Sequence, residues 1–272
     1  MKNFLLVVLL ALLTGCASGP RIETGFSAVA QDSRVRYLVL HYTVLDSANS
    51  LRVLTQQQVS SHYLLDDGPD FKVYRLVDED RRAYHAGSSS WKGNTNINPS
   101  SIGIEIVNAG WRQTGQGREW APFPPGQIER LIPLVRDILK RHDITPDRVL
   151  GHSDIAPQRK QDPGPMFPWK RLAEAGLVLW PDEAEVAARL GQFEAQLPGV
   201  AWFQKKLAEH GFAIAQSGEF DEATRNVVTA FQMKYRPSRC DGALDAQTAA
   251  LLDVLTASKR STAPALATTT GR

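Results

Sequence analysis

Residues 36–42 read RYLVLHY, and this stretch decides the architecture because it joins strand-forming residues to a histidine near its end. Tyrosine, leucine and valine in a short apolar run predict a buried β-strand. His41 lies where that strand runs out. We therefore expect a buried strand that delivers His41 to a functional site.

Further strands are predicted on both sides of a turn. Residues 63–65 and 71–77 flank the sequence DDGPD at 66–70, whose aspartates, glycine and proline favour a turn. Residues 102–107 alternate, so that three isoleucines face one way and Glu105 faces the other. A lone carboxylate on an otherwise apolar strand is a candidate acid or base.

Helical apolar spacing marks residues 51–59 and 128–139. Pro133 lies inside the second pattern and predicts a kink or a late helix start. Residues 148–150 form a short apolar stretch, and residues 169–177 are expected to form a closing helix. This mixture of strands and helices predicts an α/β domain with a central mixed β-sheet flanked by helices.

The chain of 272 residues is long enough for one full domain and a smaller one. We expect the following segments in order: a signal peptide at 1–15, a lipidated tether at 16–33, the α/β domain at 34–180, a linker at 181–198, a small helical domain at 199–256, and a disordered tail at 257–272.

The small helical domain shows an internal echo at an offset of about two dozen residues. Residues 218–224 and 242–248 each place a glycine, an aspartate and a threonine at the same spacing. Asp221 and Asp245 are predicted N-caps of the helices that follow.

The N-terminus resembles a bacterial lipoprotein signal. Lys2 precedes an apolar run, and Leu13-Thr14-Gly15-Cys16 is similar to a lipobox. The resemblance implies cleavage before Cys16, lipidation of that residue and a membrane anchor. No aspartate follows Cys16, which favours the periplasmic side of the outer membrane.

Composition narrows the choice of partners. Apolar residues make up 43% and charged residues 22% of the chain, as in ordinary globular proteins. The formal net charge is only +2, which argues against nucleic acid as the main partner. Cys240 is the one other cysteine, so a lipidated Cys16 leaves no intramolecular disulfide.

Two histidines and one carboxylate form a candidate metal-binding set. His41, His152 and Asp162 supply the neutral imidazoles and carboxylate that zinc accepts, with one coordination position left for water. Their spacing in sequence is weak support by itself, because His41 is also compatible with a packed strand end and His152 with a turn. Asp154 competes with Asp162 as the carboxylate ligand.

Several stretches together resemble N-acetylmuramoyl-L-alanine amidases of the type 2 family. They are HYT (41–43), SSHYLL (60–65), YHAG (84–87), SIGIEIVN (101–108) and GHSDIAPQRKQDPGP (151–165). The last is the most specific, and the resemblance covers about residues 34–178. Residues 199–256 resemble the peptidoglycan-binding domain type 1, a three-helix module.

The resemblance implies an enzyme that cleaves the amide between the lactyl group of N-acetylmuramic acid and L-alanine in peptidoglycan or muropeptides. His41, His152 and Asp162 match the ligands of one Zn²⁺ per chain. Glu105 matches the family's acidic residue, a general base and acid for water. Lys160 matches a lysine that stabilises the oxyanion. The expected protein is a monomer.

Some alternatives stay open on sequence grounds. His85 and Trp91 are candidate substrate contacts, although Trp91 is equally compatible with core packing. His62 is expected to be structural. A non-catalytic peptidoglycan-recognition protein or a lipoprotein that links membrane to wall is the alternative function. The donor set also suits other divalent ions.

Overall fold

The computed structural model describes residues 20, 22–115 and 117–257. The signal peptide, the lipidation site Cys16 and the tail beyond residue 257 lie outside the described residues. Residues 22–32 contain neither a helix nor a strand. Among the helices of residues 33–257, none combines the length and the apolar character that crossing a bilayer requires.

The centre of the fold is a five-stranded mixed sheet. Its strands are β1 (Tyr37–Tyr42), β2 (Tyr63–Leu65), β3 (Val73–Arg75), β4 (Ser101–Ile106) and β7 (Val149–Gly151). Their order across the sheet is β3-β2-β4-β1-β7. β2, β4, β1 and β7 run parallel to one another, whereas β3 pairs antiparallel with β2 at the edge. The sheet confirms the predicted α/β class.

The pairing of β1 with β4 sets up the site. His41 is the register partner of Glu105, and both side chains lie on the same face of the sheet. β7 pairs with the other side of β1 and ends at Gly151, directly before His152. The parallel strands therefore bring His41, Glu105 and His152 together at their C-terminal ends.

The helices confirm the predicted pattern with shifted ends. They are α1 (Ser47–Gln56), α2 (Pro125–His142), α3 (His152–Ile155), α4 (Trp169–Glu174), α5 (Glu183–Ala195), α6 (Val200–His210), α7 (Glu222–Tyr235) and α8 (Ala246–Ala257). α1 begins earlier than predicted because Asp46 caps it, accepting a hydrogen bond from Asn49 N at 2.8 Å.

The predicted late start of α2 is wrong, because the helix continues through Pro133. The proline lies on the exposed side of the helix, where water can satisfy the carbonyl that loses its backbone partner. The apolar side packs on the sheet, so burial of Ile128, Leu131 and Val135 keeps the helix continuous.

A two-stranded hairpin was not anticipated. β5 (Trp111–Thr114) pairs antiparallel with β6 (Gly117–Trp120) outside the main sheet. Its sequence carries a signal that fits this structure, since glycines at 115 and 117 lie between two short segments that each carry a tryptophan.

The two faces of the sheet are buried in different ways. Leu38, Leu40 and the isoleucines of β4 pack against α2 in one apolar cluster. On the other face, Tyr37 and Val39 belong to a second cluster. That second cluster includes side chains from α5 to α8, which we call the helical module (residues 183–257).

Within the helical module, two glutamines repeat one arrangement. The buried amide of Gln204 donates to Thr224 Oγ1 at 3.0 Å and accepts from Gly218 N at 2.8 Å. Gln232 makes the corresponding bonds to Thr248 Oγ1 and Gly242 N, at 3.0 and 2.8 Å. The sequence echo is therefore a structural repeat.

The predicted caps of the helical module are also confirmed. Asp221 Oδ1 accepts from Thr224 N at 2.7 Å, and Asp245 Oδ1 accepts from Thr248 N at 2.8 Å. The segment 181–198, expected as a linker, contains α5, which packs against α8 through the Arg189–Asp253 ion pair.

Candidate metal centre

Three buried donor atoms converge at the edge of the sheet. His41 Nδ1 lies 2.9 Å from His152 Nδ1, and Asp162 Oδ2 lies 3.0 Å from each of them. The three side chains come from β1, α3 and the loop after α3. They form the one group of metal-ligand type found among the described residues.

This donor set fits the metal ion that the sequence implies. Ligands at about 2.0–2.2 Å in a tetrahedral zinc site lie roughly 3.3–3.6 Å apart. The separations of 2.9 and 3.0 Å seen here are a few tenths of an ångström shorter, so small side-chain shifts would admit the ion. Three lone pairs facing one another without hydrogens between them repel, and a cation removes that cost. Asp162, not Asp154, completes the group.

A directed chain of hydrogen bonds sets the tautomer of His41. The Ser101 hydroxyl donates to Ile97 O at 2.8 Å, so its oxygen accepts from His85 Nε2 at 3.1 Å. His85 Nδ1 then accepts from His41 Nε2 at 3.0 Å. Since Nε2 of His41 carries the hydrogen, its Nδ1 lone pair faces the other two donors.

His152 is oriented by the backbone. Its Nε2 donates to Ala86 O at 3.1 Å, which leaves Nδ1 without a hydrogen and facing Asp162. The Arg159 guanidinium donates to the same carbonyl and lies beside the ring. Both imidazoles thus present Nδ1 to the centre and use Nε2 for support.

The surroundings of the centre favour a neutral His41 and an ionised Asp162. Burial, with the neighbouring His152, lowers the pKa of His41 from 6.5 to about 4. Burial alone would raise the pKa of Asp162, but the two histidines outweigh it and hold that pKa far below its usual range. Near pH 7, His41 is therefore neutral and Asp162 is ionised, as metal binding needs.

Glu105 lies beside this centre with an unused oxygen. Its Oε2 is buried and has no hydrogen-bond partner within the described part of the chain. Burial raises the pKa of Glu105 well above its usual value, the charge of Asp162 raises it further, and Lys160 opposes the shift. A carboxyl group of raised pKa in a cleft is suited to exchanging protons at neutral pH.

The centre opens into a cleft of about 600 Å³. Its lining includes the basic side chains Arg118, Arg159 and Lys160 and apolar side chains of α1 and of the loop before it. Several large apolar side chains that stay exposed also line it, namely Val44, Leu45, Val59, Tyr84 and Trp111. The cleft can therefore accept a ligand with both acidic and apolar parts.

Comparison with known proteins is decisive for the family. Residues 31–165 match the family described as N-acetylmuramoyl-L-alanine amidase, and residues 196–252 match the putative peptidoglycan binding domain. The chain is 41% identical over 268 residues to N-acetylmuramoyl-L-alanine amidase AmiD of Escherichia coli K12, covering 93% of this chain and 97% of that protein.

The chain belongs to the N-acetylmuramoyl-L-alanine amidase family.

Solved structures of the family agree with this fold. The E. coli AmiD complex with the substrate anhydro-N-acetylmuramic acid-L-Ala-D-γ-Glu-L-Lys is 40% identical, has a TM-score of 0.79, and covers 88% of this chain and 95% of that one. AmpDh3 of Pseudomonas aeruginosa in complex with anhydromuramic pentapeptide is 38% identical with a TM-score of 0.82, covering 89% and 99%.

The two candidate substrate contacts of this amidase, Trp91 and His85, are held by contacts within the protein. Trp91 is 1% exposed and packs edge-on against His210 and Phe212 of the helical module, so it is removed from the substrate-binding candidates. His85 lines the cleft, but both its ring nitrogens are engaged by His41 and Ser101.

The cleft of the amidase is also lined by residues that the sequence did not single out. Trp111 and Arg118 come from the hairpin β5–β6, where the guanidinium lies 4.3 Å from the indole centroid. Asn226 reaches the cleft from α7. The hairpin pattern was a usable signal for the first two, whereas Asn226 had none because its position depends on docking of the helical module.

Gly103→Ala tests the hydrogen-bond chain behind His41. A Cβ at Gly103 would lie 2.5 Å from the ring of His85, so the ring must move and His41 Nε2 loses its acceptor. We expect a stability loss of about 1–3 kcal/mol and metal affinity reduced by about tenfold or more. Thermal unfolding and competition with a chromogenic chelator measure the two effects.

Gly191→Ala is the matched control, because a Cβ there meets nothing within 4 Å and the residue lies inside α5. It should leave metal affinity unchanged and stability equal or slightly higher. Wild-type metal affinity in Gly103→Ala would contradict the role given to His85.

Proposed function

We propose that this protein hydrolyses the amide bond between the lactyl group of N-acetylmuramic acid and L-alanine, using one zinc ion held by His41, His152 and Asp162. The observation that carries the proposal is the convergence of these three buried donors within 3.0 Å of one another, beside Glu105 Oε2, which has no hydrogen-bond partner among the residues that the structure describes. Membership of the amidase family supports the choice of bond.

When bound, a zinc ion supplies Lewis acidity that polarises a carbonyl and acidifies water. Glu105 Oε2 then takes a proton from the attacking water and returns it to the nitrogen of the leaving L-alanine. The raised pKa of Glu105 suits both steps, because the group must accept a proton and later release it. The register of β1 with β4 holds this carboxylate next to His41.

Lys160 is proposed to stabilise the charge that develops on the scissile carbonyl oxygen. It lines the cleft and lies close enough to Glu105 and His41 to influence the pKa of both. An ammonium group in a partly water-excluded site favours a developing oxyanion more than it does in bulk water.

The cleft also supports a muropeptide as substrate. The substrate in the E. coli AmiD complex contains D-γ-Glu, which leaves a free α-carboxylate in the stem peptide. In this chain, Arg118 and Arg159 give the cleft a positive charge that complements such a group. The exposed apolar residues that also line the cleft suit the sugar face and alanine methyl groups.

The helical module is proposed to bind peptidoglycan, because residues 196–252 match a putative peptidoglycan binding domain. Holding the wall polymer next to the cleft would raise the local concentration of scissile bonds. The proposed boundaries are an amidase domain at 34–180, a linker at 181–198 and a binding domain at 199–256.

The direct test of function uses a defined muropeptide. Incubation with the purified protein should release the free stem peptide, beginning with L-alanine, and the intact sugar, and mass spectrometry of both products identifies the bond that is cut. Treatment with a chelator should abolish release, and added zinc should restore it. Muropeptide binding without any product would favour the alternative of a non-catalytic recognition protein or wall-linking lipoprotein.

Glu105→Gln and Asp162→Asn separate the two proposed roles. Glu105→Gln keeps the shape but removes the base, so kcat should fall by about 10²–10⁴ while zinc content stays near that of wild type. Asp162→Asn removes a ligand charge, so the purified protein should hold clearly less zinc. Elemental analysis gives the zinc content of each variant, and kcat is measured on the same muropeptide. Equal zinc loss in the two variants would contradict the separate roles of Glu105 and Asp162.

We also propose that the mature chain is anchored by lipid at Cys16 on the periplasmic side of the outer membrane. The apolar run and the sequence Leu13-Thr14-Gly15-Cys16 support this proposal. Cells fed an alkyne-labelled palmitate should label the wild type and not the Cys16→Ser variant. Equal absence of label in both proteins would argue against the anchor.

A further inference from the structure

Lys234 of the helical module is buried against the segment that carries His152. Its Nζ lies 2.8 Å from Asp154 Oδ2 and 3.0 Å from Val149 O, and the two side chains are 4% and 2% exposed. The ammonium also lies 4.4 Å from the ring centroid of Trp169. The helical module therefore places a positive charge inside the amidase domain.

Asp154 connects Lys234 to the backbone next to His152. The same oxygen that accepts from Lys234 also accepts from Gly151 N at 2.9 Å, which closes the turn from β7 into α3. His152 is the first residue of that helix, and Ser153 N donates to Asp162 O at 2.9 Å. Two of the three ligands are thus attached to the segment that Lys234 holds.

Other hydrogen bonds of the helical module lie near the remaining parts of the proposed metal centre. Gln158, in the loop before Asp162, donates to Ala223 O and accepts from Asn226, both at 3.0 Å. Lys92 N donates to Gly211 O at 2.8 Å, just beyond the segment that supports His41 and His152 through His85 and Ala86. The helical module therefore contacts the loop before Asp162 and the chain next to His85 and Ala86, and Ala86 shares its apolar cluster.

We propose that the helical module is a positioning element of the metal centre, and that Lys234 is the residue through which it acts. Lys234 fixes Asp154, Asp154 fixes the backbone at Gly151, and the backbone fixes the direction of His152. The inference rests on the proposed zinc site. It gives the helical module a role in metal binding that is independent of any peptidoglycan it holds.

The choice of residue types supports positioning over stability alone. A buried ion pair is a poor source of stability, because removing both charges from water costs about as much as their attraction returns. Apolar side chains of similar volume would join the amidase domain to the helical module at least as well. What the ion pair adds is direction, because Nζ has two oxygen partners in fixed places.

Lys234→Met tests the proposal, with Lys206→Met as the matched control. Lys206 is also nearly buried and bonds a carboxylate, Asp253 Oδ1 at 2.7 Å, and a second oxygen, Thr256 Oγ1 at 2.9 Å, but both partners lie in the helical module. Zinc affinity of the full chain is measured by chelator competition at a temperature where circular dichroism shows both variants folded.

We expect both variants to have a lower Tm, but Lys234→Met alone to bind zinc about tenfold or more weakly. Equal zinc affinity in wild type and Lys234→Met would overturn the role of Lys234. A wild-type protein that takes up no zinc would instead overturn the proposed function on which this role rests.

A second variant keeps the test decisive if Lys234→Met does not fold. Lys234→Met/Asp154→Asn leaves no unpaired charge, and the asparagine oxygen can still accept from Gly151 N. We expect it to fold and still to bind zinc more weakly than Lys206→Met. Zinc affinity equal to that of the control would show that the contact holds the helical module in place and nothing more.

Discussion

The pairing of β1 with β4 is the constraint on which the site depends. A parallel register that places His41 opposite Glu105 fixes a proposed metal ligand and a proposed proton carrier on one face at a separation set by the backbone. β7, on the other side of β1, ends where His152 begins. A slip of one residue in either pairing would turn these side chains toward the opposite core, so the apolar packing of the sheet also protects the chemistry.

The residues that orient His41 are small or uncharged. Gly103 leaves room for His85, whose ring lies where a Cβ would be. His85 carries the hydrogen-bond chain from His41 to Ser101. Because each member of this chain has one donor and one acceptor in use, reversing a single tautomer would break several bonds, and the lone pair of His41 stays aimed at the centre.

The sequence was sufficient for the sheet, most of the helices and the convergence of His41, His152 and Asp162. Strand composition and turn residues are local signals, and the resemblance of the stretches 41–43 and 151–165 to the amidase family pointed to His41, His152 and Asp162. Other features depend on contacts that no local pattern encodes. The sequence around Trp91 does not distinguish a sugar contact from a contact with the helical module. Trp91 is buried because the helical module packs over it. Pro133 is tolerated because it faces solvent, which spacing alone did not reveal.

The helical module packs on the face of the sheet that carries His41, the face that α2 leaves open. An α/β sheet must cover both faces, and α2 covers only one. The other face carries Tyr37, Val39 and the turn into His152, and it shares one apolar cluster with the helical module. Since that face cannot be left to water without exposing the supports of the ligands, the helical module completes the core. The helical module that matches a putative peptidoglycan binding domain is thus also part of the core behind the proposed metal site.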